Sequence, residues 1–254
     1  MVMDGDAARA DRLPSAMADF RPLYMQVRDL MVQRIASGDW KPGEMIPSEF
    51  QLAAEFGVSQ GTVRKALIEL EAQNLMVRRQ GRGTTVAEHS RQHSLFHFFH
   101  IVDRDGMKEL PSSTVVEQKT RKASKDQAVA LALAPRANVH AFTRVRLLRG
   151  RPVILERIAV PAALFPDLSF TVGETLPDEL YVLFQRKYGV TVARANETIA
   201  AVAADADDVR HLGLAEGAPL LEIVRVAHDV QGRPVELRVS RVDTRDHRYY
   251  CEIV

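Results

Sequence analysis

Cysteine is nearly absent from this chain. Cys251 is the single one in 254 residues, which excludes an internal disulfide framework and a cysteine-rich zinc site and fits a reducing cytoplasm. Net charge is missing as well: 34 Lys and Arg stand against 33 Asp and Glu, a formal +1, so no global field of either sign draws the chain to a polyanion or a membrane surface. No apolar run reaches membrane-spanning length, and the opening MVMDGDAARADRLPSAMADF holds no signal-peptide core; no membrane association is expected. The eight histidines form neither an HExxH nor a paired Cys/His spacing, so neither metal nor cofactor is expected. His89, His93, His97 and His100 recur at helical spacing but sit between a polar stretch and an aromatic run, where solvated or strand-edge histidines are the simpler reading.

What is present is ordinary for a globular chain with room for two cores, 46% hydrophobic and 26% charged. Residues 1–20 read as a disordered tail. A first helix follows Arg21-Pro22, with Leu23, Val27, Leu30, Met31 and Ile35 on its buried side. The stretch from Ile46 to Val86 then gives two short helices, a tight turn and a basic hairpin. Ser48 and Gln51 form a capping box for a helix carrying Leu52, Ala53 and Phe56, which Gly57 stops. Ser59 caps the next helix, burying Val63, Ala66, Leu67 and Leu70 while Gln60, Gly61, Thr62, Arg64 and Lys65 fall elsewhere. Leu75–Arg79 and Thr84–Val86 read as strands around Gln80-Gly81-Arg82-Gly83. Bases concentrate here, with Arg64, Lys65, Arg78, Arg79 and Arg82 against Glu69 and Glu71 between Gly57 and Ala87. That is a local footprint for a polyanion, and the layout is that of a winged DNA reader.

The ordered elements PSE, LA, FGVS, TVRKAL and QGRGT, over about residues 20 to 87, resemble the N-terminal domain of the GntR family of bacterial transcription regulators. The resemblance implies that Ser59, Gln60, Gly61, Thr62 and Arg64 face DNA, that Gly81 tips a wing, and that Arg78 or Arg82 lies near phosphates. Phe50 and Gln60 stand where the family often has arginine, so a different operator preference is expected. Ser48 and Ser59 are in the first place caps, each worth on the order of 1 kcal/mol to its helix.

A polar linker, 88–94, separates this domain (21–87) from a second (95–254) that contains an internal repeat. ALALAPRANVHAFTRVRLLRGRPVILERI, from Ala130, aligns with HLGLAEGAPLLEIVRVAHDVQGRPVELRV, from His211, with one residue inserted. Each copy reads as helix end, strand, tight turn and strand, the turns lying at 149–152 and 231–234. Two such hairpins should meet in one antiparallel sheet about an approximate two-fold, with helices on one face and a ligand cleft at the junction. The copies differ informatively: Arg144 matches Arg225, but Arg146 matches Ala227 and Glu156 matches Arg238. Arg144, Arg146 and Phe142 share a strand face, and two guanidiniums there require an anion, either an internal carboxylate such as Glu156 or a ligand phosphate or carboxylate.

The GRPV turns, LFP, the ELYVLFQRKYG helix, LGL, GAPLL and the closing RYY resemble the effector domain of the HutC subfamily, of chorismate-lyase-like fold. That resemblance implies a small-molecule pocket at Arg144, Arg146 and Glu156, joined by the first loop of the domain near His97, Phe98, Phe99 and His100 and by Tyr249 on the last strand. His247-Arg248-Tyr249 departs from the family's common Asp-Arg-aromatic triplet. The expected protein is α+β: a cytoplasmic homodimeric repressor whose winged helix-turn-helix binds a pseudo-palindromic operator under control of a small anionic metabolite. An enzyme of chorismate-lyase-like fold fused to a DNA reader, and a sensor acting through protein contacts, are the alternatives; no nucleophile or metal constellation favours catalysis.

Overall fold

The computed structural model describes residues 21–79, 81–90, 97–176 and 179–252; the expected tail, Gln80, His93 and most of the expected linker lie outside them. Two compact units divide between Glu88 and His89.

In the first unit, α1 (Leu23–Ser37), α2 (Glu49–Phe56) and α3 (Gln60–Ala72) precede a hairpin of β1 (Met76–Arg79) and β2 (Gly83–Val86). The caps form as the sequence requires: Ser48 Oγ accepts from Gln51 N, the Gln51 side chain accepts from Ser48 N at 2.9 Å, and Ser59 Oγ accepts from Thr62 N at 3.1 Å. Gly57 ends α2 in the left-handed region at φ 67°, which a side chain would strain. Val27, Met31 and Ile35 of α1 close a core with Leu52, Phe56, Val63, Leu67 and Leu70. Leu30 is only partly buried and Leu23, in the first turn beyond that stripe, is 44% exposed, so both lie outside the core expected of them. The strands also shift slightly: Leu75 donates its N–H to Leu70 O to close α3, while Gly83 joins the ladder opposite Arg79.

In the second unit the chain runs β3 (Ile101–Asp103), β4 (Ser112–Lys122), α4 (Lys125–Ala130), β5 (Asn138–Leu148), β6 (Arg151–Pro161), α5 (Leu180–Tyr188), β7 (Val192–Ala203), α6 (Ala206–Leu212), β8 (Pro219–Asp229), β9 (Pro234–Asp243) and β10 (His247–Tyr249). Among the described residues the main sheet has the order β4-β5-β6-β9-β8-β7, antiparallel throughout, and β3 pairs with β10. The repeat is thereby explained. Its two hairpins meet at β6 and β9, where Arg157 lies opposite Val239; these two residues are also matched in the repeat, so the approximate two-fold passes between them. The duplication extends further back than the aligned segments, because Ser124 caps α4 with Gln127 as Asp205 caps α6 with Asp208.

The hairpin turns differ by the inserted residue. Arg149 and Gly150, at φ 50° and 73°, make the two-residue turn in which both positions are left-handed. The longer turn is held by Asp229, whose Oδ1 accepts from Gln231 N and Arg233 N. Helices cover both faces of the sheet, not one. α4 and α6 belong to the duplicated halves, and a two-fold perpendicular to the sheet keeps them on the same face, over Val139 and Ala159 and over Val145, Leu155 and Leu220. α5 joins the halves and packs on the other face, against Phe142, Ile158, Phe165 and Val235. His89, expected in the linker, belongs to this unit: it is 4% exposed, and its backbone N–H donates to Gln185 Oε1 at 2.7 Å.

Phe184 of α5 is fully buried with its ring 4.4 Å from that of Phe165. Phe184→Ala removes that packing and leaves a cavity, so urea unfolding of the second unit should show a loss of about 3–5 kcal/mol.

Candidate DNA-reading face and effector pocket

The first turns of α3 present Ser59, Gln60, Gly61 and Arg64 to solvent, with Thr62 half-buried, and Gly81 and Arg82 stand exposed at the hairpin turn beside Arg78 on β1. Sequence reasoning missed the residue that ties these parts together. Glu49, the first residue of α2, accepts from Arg64 Nε at 2.9 Å through one oxygen and from Arg78 Nη2 at 2.5 Å through the other. One carboxylate thus holds a cation of α3 and a cation of the hairpin on one surface. Both arginines are substantially exposed, so each pair is weak and screened by water and salt, and exchanges readily for another anionic oxygen. Lys65 is directed elsewhere, its ammonium 3.9 Å above the Tyr24 ring. Phe50 lies on the same first turn of α2 as Glu49 and is 69% exposed.

In the second unit the sheet face under α5 carries a buried charge cluster. The register sets Arg144 opposite Glu156, Glu156 opposite Ser240, and Arg238 opposite Arg225, which is itself opposite Glu197. Like charges directly opposite one another on a sheet repel, and each guanidinium is met by a carboxylate. Glu156 accepts from Arg144 Nε at 2.5 Å, from Arg238 Nη1 at 3.3 Å and from Ser240 Oγ at 3.2 Å. Glu236 takes Arg238 Nη2 at 2.7 Å and the Tyr181 hydroxyl at 3.0 Å. Glu197 takes Arg225 Nε at 2.6 Å and the Tyr249 hydroxyl. Arg146 donates from Nη2 to both oxygens of Glu179, at 2.9 and 2.8 Å.

Burial alone raises a carboxyl's pKa, but Arg144, Arg238 and Arg146 hold Glu156 far below the usual carboxylate range. Burial lowers Arg144 to about 10 against the pull of Glu156, so it stays charged near neutrality. Burial, with Glu236 beside it, pushes the Tyr181 phenol up to about 12 and keeps it a donor. Desolvation lowers His100.

Phe98, Phe99, His100, Arg146, Glu156 and Tyr249 line a cavity of about 30 Å³ together with Arg225, Arg238 and Ser240. That space suits a water molecule or two, not a metabolite. Phe99 closes over Arg146, its ring centroid 4.9 Å from the guanidinium carbon, and Tyr249 packs against His100 at 5.3 Å. Of the residues expected here, Arg144 and His97 do not line the space: Arg144 is buried against Glu156, and His97 is exposed. Arg225 and Arg238 had a signal in the repeat, as the counterparts of Arg144 and Glu156; Glu179, Glu197, Glu236 and Tyr181 had none. Within this cluster three buried guanidinium nitrogens remain without a hydrogen-bond acceptor, Arg144 Nη1, Arg144 Nη2 and Arg146 Nε.

Comparison with known proteins places both units. Residues 23–86 match the bacterial regulatory proteins of the gntR family, and residues 106–248 match the UTRA domain. The mannosyl-D-glycerate transport/metabolism system repressor MngR of Escherichia coli (strain K12) is 30% identical over 230 residues, 90% of this chain and 95% of that protein. The histidine utilization repressor of Pseudomonas putida is 32% identical over 205 residues, 80% of this chain and 81% of that one. Among solved structures, PhnF from Mycobacterium smegmatis covers 90% of this chain and 99% of its own at 25% identity, with a TM-score of 0.53. YydK from Bacillus subtilis subsp. subtilis str. 168 covers 92% of this chain and 100% of its own at 19% identity and a TM-score of 0.55, a likeness of fold alone.

Glu156→Gln leaves Arg144 without its buried counter-charge and should lower stability at pH 7 by about 3–5 kcal/mol. Because the folded pKa of Glu156 is depressed, its contribution is complete above the unfolded value near ~4.3 and is lost as pH falls toward the folded value. Urea titrations of wild type and variant should therefore converge as pH is lowered below about 4.

Proposed function

The chain belongs to the GntR family of bacterial regulatory proteins and carries a UTRA domain, and from that premise we propose that it is a homodimeric repressor released from its operator by a small acid bound in the cavity beside Arg146. It is a DNA-binding transcription regulator and not an enzyme: the relatives it matches nearly end to end are named repressors. Two copies of an α3 reading one duplex must match its two-fold symmetry, so the operator is a pseudo-palindrome. The work is done in the cytoplasm, where the operator is.

Ser59, Gln60, Gly61, Thr62 and Arg64 meet base edges and phosphates in the major groove, Gly81 approaches the sugar-phosphate surface of the adjacent groove, and Arg78 and Arg82 lie on phosphates. Glu49 supports this assignment, since it already holds Arg64 and Arg78 on a common surface. Phe50 offers an apolar ring where an arginine would read guanine, which favours thymine methyl contact at that step.

For the effector, the observation that carries the reading is the buried Nε of Arg146, a residue that lines the cavity, which lacks an acceptor. An unmade buried hydrogen bond to a charged group is costly, and a ligand carboxylate or phosphate supplies the oxygens. Glu156 orients the arginines. Phe98, Phe99, His100 and Tyr249 enclose the ligand, with His97 at the entrance. The effector then need only bind the released state a few kcal/mol better to empty the operator.

Fluorescence anisotropy with DNA flanking the gene, titrated with salt and then with small acids, tests the scheme. Arg64→Ala should weaken specific binding by about 1–3 kcal/mol, and Arg78→Ala should reduce the slope of log affinity against log salt by about one. An unchanged salt slope would remove Arg78 from the phosphate contacts. Arg146→Ala should retain operator binding and lose the response to acids; loss of both together would mark Arg146 as structural.

A further inference from the structure

Glu179 is the carboxylate in the cluster with the fewest commitments, and its place on Arg146 bears on what the pocket accepts. Arg144, Arg146, Arg225 and Arg238 are matched among the described residues by Glu156, Glu179, Glu197 and Glu236, so the cluster is neutral as it stands. A buried anion added to a neutral cluster is an uncompensated charge. One carboxylate must therefore leave as an acid enters.

Three of the four are poorly suited to leave. Glu236 is fully buried and Glu156 4% exposed, and Glu197 is held by both Arg225 and Tyr249. Glu179 is 16% exposed, and both of its hydrogen bonds go to the single atom Arg146 Nη2. It sits at the N-cap of α5, yet its side chain makes no capping bond, so no capping bond is lost when that side chain moves. Its hold on Arg146 is also incomplete. The Nε–Nη2 edge of a guanidinium is a two-donor fork, and with both Glu179 oxygens on Nη2 the Nε is left without an acceptor. Phe99 covers a face of the same guanidinium and Glu156 lies 3.7 Å from its Nη1, so the Nε–Nη2 edge is the one whose pairing is incomplete.

Resting on the reading of this cavity as the effector pocket, we propose that Glu179 is the internal occupant of the effector's acid site on Arg146, and that the effector is a singly charged carboxylic acid that exchanges with it one for one. The incoming carboxylate takes Nε and Nη2 together, and Glu179 turns out to solvent. A monoanion keeps the cluster neutral after the exchange, whereas a phosphate monoester carrying two charges leaves it at −1. Glu179 thus sets both the affinity of the pocket and its preference for carboxylates over phosphate esters.

Calorimetric titration of the full chain at pH 8 and constant ionic strength, with glycolate and with methyl phosphate as probes, tests this. The wild type should bind glycolate at least about tenfold more tightly than methyl phosphate. Glu179→Gln, which keeps the size and removes the charge, should tighten glycolate binding by about ten- to a hundredfold, the worth of one charged hydrogen-bonded pair. Glu179→Ala should move in the same direction, and melting curves without ligand show that each variant folds. Glycolate binding that is equal or weaker in both folded variants, or methyl phosphate binding as tight as glycolate in the wild type, would overturn the exchange while leaving the pocket assignment intact. Binding of neither acid to any of the proteins would overturn the pocket assignment as well.

Discussion

Burying guanidiniums under a sheet is the constraint from which the rest of the second unit follows. A charge moved out of water costs several kcal/mol unless it is paired with good geometry, and here Arg144, Arg146, Arg225 and Arg238 are all nearly inaccessible. Four elements contribute to compensating them. β6 brings Glu156, β7 brings Glu197, β9 brings Glu236 and Ser240, and α5 brings Glu179 and Tyr181. An apolar core would be as stable or more so, which makes a polar one under a helix a feature to be explained by binding.

Duplication supplied the framework, and divergence between the copies supplied the site. An exact two-fold would repeat Arg144, Arg146 and Glu156 at Arg225, Ala227 and Arg238, with like surroundings. Instead Arg225 has Glu197 directly opposite on β7, while Arg144 faces Val115 on β4 and reaches across to Glu156 on β6. The carboxylate that serves Arg144 thus lies near the two-fold, where it also serves Arg238, and the cavity opens off that axis beside Arg146. α5 breaks the symmetry too, because it connects the halves and has no counterpart.

Much of the fold was legible because its signals are local. Ser48 with Gln51, the glycine stop at Gly57, the Arg149-Gly150 turn and the repeat with its inserted residue each act within a few residues, and each is where the sequence put it. Side chains expected to share a face did so: Phe142, Arg144 and Arg146 all lie under α5. The pairings that give the sites their character are not local. Glu49 meets Arg78 across 29 residues, and Arg146 meets Glu179 across 33. Neither spacing has a period to reveal it, and a glutamate after PS or before LY looks like any solvated helix start. The same reason hid the placement of α5, since periodicity shows that a helix has a buried face and not which side of a sheet that face covers.

One helix joins the buried charge cluster to the beginning of its unit. Glu179 at the N-cap of α5 holds Arg146, and Tyr181, two residues on, bonds Glu236 and stacks edge-on with Phe98 at 4.9 Å. One turn further, Gln185 accepts the backbone N–H of His89 and donates to Thr191 at 3.1 Å, and His89 also reaches Val192 O through its ring at 3.0 Å. Residues 181 and 185 share a face at helical spacing, and His89 contacts both, its ring 6.3 Å from that of Tyr181. His89 directly follows the last residue of the first unit. A rigid helix cannot adjust its N-terminal turn to a ligand without carrying its next turn with it, and close-packed neighbours respond in discrete steps rather than by gradual give. His89, the first residue of the second unit, is thereby anchored on the same helix whose N-cap residue, Glu179, holds Arg146.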